Sequence, residues 1–94
     1  MSHQQIMRLI MRPEIGYSEV KELSVAQPFS ILEENGNIAV YLTHDIDDDR
    51  WKRKEEFIVL GTGDIPEPDY GPIGTVKIGN DIFHVGYRSI EQNQ

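Results

Sequence analysis

The chain has 94 residues and a mass of 10.8 kDa, the size of one small domain, and its 38% apolar content suffices for one thin core. Sixteen Asp and Glu against nine Lys and Arg set a formal charge of -7, which disfavours the clustered positive surface that duplex nucleic acid requires. The absence of cysteine excludes disulfides, thiolate metal sites and a cysteine nucleophile, and no apolar run approaches the roughly 18 residues of a spanning helix.

In chain order, residues 1–5 carry neither the basic start nor the apolar stretch of a signal peptide, so a cytoplasmic protein with loose ends at 1–5 and 91–94 is expected. Residues 6–12 read as a first strand, stopped by Pro13. Residues 18–23 alternate weakly, with Val20 and Leu23 as the apolar members, and read as a second. The strongest local signal follows. Residues 28–34 run into Asn35-Gly36 and then residues 37–43, and Asn-Gly is the favoured two-residue hairpin turn because both positions need positive φ. That turn sets Ile31 opposite Val40 and Phe29 opposite Leu42, with Phe29, Ile31, Ile38, Val40 and Leu42 on one face.

The charged stretch 45–54 reads as a hairpin loop. Residues 55–60 are short, apolar and β-branched, and read as a central strand that Gly61-Thr62-Gly63 stops. Residues 61–72, rich in proline and glycine, form the loop on which binding residues are expected, since such residues gather on loops held by a rigid sheet. A second hairpin turns at Gly79-Asn80, setting Val76 opposite Phe83 and His84 opposite Thr75, with Val76, Ile78, Phe83, Val85 and Tyr87 on one face. No stretch of 11 residues holds a clean helical period. The expected fold is therefore all-β: one domain over 1–94, a small antiparallel sandwich, roll or barrel of five to seven short strands with two tight hairpins.

Few residues suggest chemistry. Asp45-Ile46-Asp47-Asp48-Asp49 has the alternating carboxylates of a calcium loop, with Glu56 at the twelfth position, but Arg50 stands where such loops need glycine, so no metal is expected. Arg50-Trp51-Lys52-Arg53 has three readings, in descending weight: Trp51 covers the end of the barrel while the charges stay solvated, a protein-binding hot spot, or a stacking and phosphate contact for a nucleotide. Gly61-Thr62-Gly63 resembles a phosphate-cradling turn, and glycines that end a strand look the same. No Gly-Lys-Ser or Gly-Lys-Thr completes a P-loop. His84 stands in a strand with no serine or carboxylate fixed beside it by sequence, which gives a general base no partner. With Tyr70 on the glycine and proline loop, the candidate ligand- or partner-binding residues are Arg50, Trp51, Lys52, Arg53, Gly61, Thr62, Gly63, Tyr70 and His84.

The order of these segments also resembles a known set. Glu22-Leu23, Phe29-Ser30-Ile31-Leu32, the Asn35-Gly36 hairpin, Thr43-His44-Asp45, the run from Phe57 through Gly61-Thr62-Gly63 to Pro66, Ile73-Gly74-Thr75 and Phe83-His84-Val85 follow one another as in a family of small uncharacterised bacteriophage and prophage proteins. The resemblance covers about 70 residues. This chain departs from the family pattern at Ala39-Val40-Tyr41-Leu42, where a tryptophan is usual, and in a longer charged loop at 47–53. The resemblance implies a phage-encoded accessory protein, without enzymatic activity or cofactor, that binds and inhibits a host or anti-phage defence factor in the bacterial cytoplasm. Sequestration of a nucleotide immune signal and a role in the virion are the alternatives. A small hydrolase using His84 or the carboxylates of 45–49 stays open as a third class. The apolar residues 6–11 suit self-pairing at a sheet edge, so a homo-oligomer is expected.

Overall fold

The computed structural model describes residues 3–47 and 52–90. Among these residues seven strands follow one another without a helix: β1 (Gln4–Met11), β2 (Ser18–Ser24), β3 (Gln27–Glu34), β4 (Asn37–Asp45), β5 (Lys52–Leu60), β6 (Gly71–Ile78) and β7 (Asp81–Ile90). They form two antiparallel sheets, ordered β1-β4-β3 and β2-β5-β7-β6, packed face to face as a small sandwich, with β3 over β6 and β2 against β4. Among the described residues no helix is long and apolar enough to cross a membrane.

Alternation along the strands builds the core. Leu9, Met11, Ile38, Val40 and Leu42 face inward from the first sheet; Leu23, Phe57, Val59, Phe83 and Val85 meet them from the second. Phe57, the largest fully buried side chain, lies beside Tyr87 across the β5–β7 ladder with the rings stacked at 6.0 Å. Burying a side chain of this size stabilises the fold by about 1.5–3 kcal/mol.

Both hairpins form at the expected turns. Asn35 and Gly36 both take positive φ, 53° and 81°, and Glu34 faces Asn37. At the second turn Gly79 has φ 62°, Ile78 faces Asp81 and Thr75 faces His84. One register expectation fails. A bulge in β3 leaves Phe29 without a partner, so Pro28 faces Leu42 and Phe29 is 56% exposed rather than in the core.

The charged stretch is also shorter than expected and is not a hairpin loop. β4 continues to Asp45, β5 begins at Lys52, and the two strands belong to different sheets, so they do not pair as a hairpin. Lys52, Arg53 and Lys54 are strand residues that pair with Ser24, Leu23 and Glu22 of β2, and the charges are complemented from Lys54 onward. Lys54 stands opposite Glu22, Glu55 opposite Lys21, and Glu56 opposite Arg88 on the other side. Of the calcium-like carboxylates, Asp45 is buried and accepts the Asp47 N–H at 2.9 Å, and Asp47 pairs with His3. Asp48, Asp49, Arg50 and Trp51 lie outside the described residues.

Candidate functional site

The loop from β5 to β6 folds back over the outer face of the second sheet, and two turns shape it. Gly61 O accepts the Asp64 N–H at 3.1 Å, and Gly63 takes φ 99°, the left-handed position that only glycine fills without strain. Asp64 Oδ2 in return accepts the Gly61 N–H at 2.7 Å. Further on, Glu67 O accepts the Tyr70 N–H at 3.0 Å, with Pro68 fixing the turn between them.

The far end of the loop is riveted to the sheet. The Tyr70 hydroxyl donates to Glu56 Oε1 at 2.9 Å, Arg88 Nε donates to the same oxygen at 3.0 Å, and the Arg88 guanidinium sits 4.8 Å from the centre of the Tyr70 ring. Arg88 also reaches Asp69 at 3.3 Å. Burial first, then the bond to Glu56, hold the Tyr70 phenol above its ordinary value, so it stays a donor. The same carboxylate raises Arg88.

Between these anchors the sheet carries a glycine on β7. Gly86 lets the loop settle: a Cβ there would stand 3.2 Å from the Gly71 carbonyl oxygen and 3.8 Å from the Tyr70 ring. The result is an open hollow of about 370 Å³, walled by Leu60, Pro66, Tyr70 and Pro72. That volume lies at the small end of ligand-sized pockets.

Its polar wall is a histidine held between two threonines. His84 Nε2 is 2.8 Å from Thr62 Oγ1 and Nδ1 is 2.8 Å from Thr75 Oγ1. A hydroxyl both donates and accepts, so the ring keeps one orientation whichever nitrogen carries the proton. Asp64 also lines the hollow, and no lysine or arginine does so among the described residues. Ile65, on the crest of the loop, is 93% exposed.

The sequence-predicted residues that the structure describes, all but Arg50 and Trp51, therefore fall into two groups. Gly61, Thr62, Gly63, Tyr70 and His84 converge on the hollow. Lys52 and Arg53 do not: they begin β5, and Gly61 follows its other end, roughly 26 Å away along an extended strand. Of the two readings of Gly61-Thr62-Gly63, a phosphate cradle or glycines that end a strand, the geometry favours the second. The Gly61 N–H that would face an anion is already taken by the Asp64 carboxylate, whose charge repels one. Thr75, Asp64 and Gly86 are the site residues that sequence reasoning passed over. Thr75 was within reach, because the Gly79-Asn80 turn already sets it opposite His84. A glycine inside β7 was the signal for a close backbone approach at Gly86. In comparisons with protein-family models, curated proteins and solved structures, nothing matches this chain.

Proposed function

We propose that the chain is a non-enzymatic binding domain that captures a protein partner by seating one aromatic or aliphatic side chain in the hollow beneath the β5–β6 loop. The observation that carries this reading is the chemistry of the walls: apolar surface, one oriented histidine for a hydrogen bond, no lysine or arginine among the described residues, and an exposed isoleucine between the lining Asp64 and Pro66. An exposed apolar residue next to an apolar hollow gives a partner side chain adjoining surface from which to exclude water. Both His84 nitrogens face threonine hydroxyls, which supports a positioning role over proton transfer to a substrate. Sequestration of a nucleotide fits less well, because phosphates would meet Asp64 and no lining lysine or arginine. The resemblance to phage proteins supplies the setting of the proposal: the partner is a bacterial host or defence protein, and its capture inhibits it.

Affinity capture from bacterial lysate followed by native mass spectrometry tests the reading. The wild type is expected to retain a stoichiometric protein that Ile65→Asp loses and that Arg53→Glu, at the opposite end of β5, keeps. Loss with Arg53→Glu alone, or a small nucleotide released on denaturation, would contradict it.

A further inference from the structure

A sandwich of two open sheets has four edge strands, here β1, β3, β2 and β6, and each exposes a row of backbone donors and acceptors to any passing strand. Three of the four are guarded. β3 has Pro28 and the bulge at Phe29; β6 has Pro72, a bulge at Ile73 and Lys77; β2 carries Lys21 among Glu19 and Glu22. β1 has none of these devices. It pairs with β4 without interruption from Gln4 to Met11, and it contains no proline, lysine or acidic residue. Its one charge, Arg8, is drawn away from the edge: the guanidinium bonds Glu34 on β3 at 3.0 Å, across the intervening β4. Ile6 and Ile10, on the outer face of the same strand, are 65% and 42% exposed.

We propose that β1 pairs antiparallel with β1 of a second copy of this chain, joining two three-stranded sheets into one six-stranded sheet about a two-fold axis. The occupant follows from charge and register. Copies carrying -7 repel each other over most of their surface, and β1, with no acid and one cation, is where they approach at least cost. The Ile46 N–H bonds His3 O directly opposite it, at 3.0 Å, which fixes the alternation along β1. Met7 and Leu9 bond to β4, while Gln4, Ile6, Arg8 and Ile10 turn their N–H and C=O groups outward. With Met7 on the axis, Ile6 faces Arg8 of the other copy, Gln4 faces Ile10, and Gln5 faces Leu9. The two Arg8 residues then avoid each other, and each Ile6 lies diagonal to Ile10 of the other copy, covering the exposed apolar pair. Shifting the axis to Arg8 would set like charges directly opposite.

Sedimentation equilibrium at micromolar concentration tests this. The wild type is expected at twice the 10.8 kDa chain mass. Ile6→Pro removes an outward N–H and leaves the β1–β4 ladder intact, and Ile6→Lys places a charge on the same edge. Each is expected to weaken association at least tenfold while circular dichroism stays unchanged. The chain is cysteine-free, so Met7→Cys reports the register directly. Residues on the axis in a non-hydrogen-bonded pair have Cα atoms about 4.5 Å apart, within reach of a disulfide, so oxidation should give a covalent dimer, and Ile10→Cys should not. A wild-type mass of one chain would overturn the proposal, as would a dimer indifferent to both Ile6 variants. Cross-linking through Ile10→Cys in place of Met7→Cys would overturn the register.

Discussion

At the scale of single residues, the site depends on polar groups tied to specific partners. Tyr70 shows this best. Its hydroxyl donates to Glu56, which also receives Arg88, so one carboxylate fastens the end of the loop to two neighbouring strands. The folded protein favours the protonated phenol, whose value lies above the ordinary 10.0 because of burial and the Glu56 bond. That contribution to stability is present in full below pH 10 and is lost as the pH rises through the folded value. Stability to denaturant should therefore fall above pH 10, and Tyr70→Phe should flatten part of that fall. Tyr17 and Tyr41 supply the remainder, since hydrogen bonds to Glu19 and Glu34 raise them in the same direction. A Tyr70→Phe profile that tracks the wild type through the alkaline range would contradict the assigned role.

At the scale of elements, turn chemistry decides how much can be read from the chain. Asn35-Gly36 and Gly79-Asn80 each specify a hairpin, so the registers of β3 with β4 and of β6 with β7 follow from local residues, apart from the bulges. The Phe29 bulge was not legible, because a bulge is imposed by packing across the sheets and leaves the alternation of the sequence intact. Lys52-Arg53-Lys54 was misread as loop for a related reason. Its strand partners, Ser24, Leu23 and Glu22 of β2, are distant in sequence. The hollow was half legible: the loop and His84 stood out, and the sheet beneath them did not. Gly86 carries that hidden part. Gly86→Ala sets a methyl 3.2 Å from a backbone oxygen that cannot move without shifting β6, at a cost of about 1–3 kcal/mol of unfolding free energy, read as a lower denaturant midpoint. Gly61→Ala should cost less, although its Cβ would stand only 2.8 Å from Ile15 Cδ1, because that atom ends a flexible, exposed side chain free to turn aside. The reverse order of the two midpoints would show that the loop, and not the sheet, sets the shape of the hollow.

At the scale of the whole molecule, the sandwich separates its surfaces. The core lies between the sheets, and the hollow sits on the outer face of the four-stranded sheet. The unguarded β1 edge belongs to the three-stranded sheet, so pairing there leaves the β5–β6 loop uninvolved. The positive segment that begins β5 is remote from the hollow, which divides the sequence-predicted candidates between two ends of one strand. The chemistry of that hollow decides what it binds, and nuclear magnetic resonance of the labelled protein tests it without a known partner. Titration with a phenol or an indole should shift the backbone signals of Thr62, Gly63 and Gly86 and the ring signals of His84, while adenosine monophosphate leaves them in place and Lys52 and Arg53 respond to neither aromatic. Tighter binding of adenosine monophosphate at the same residues, or no response to either aromatic compound, would contradict the account.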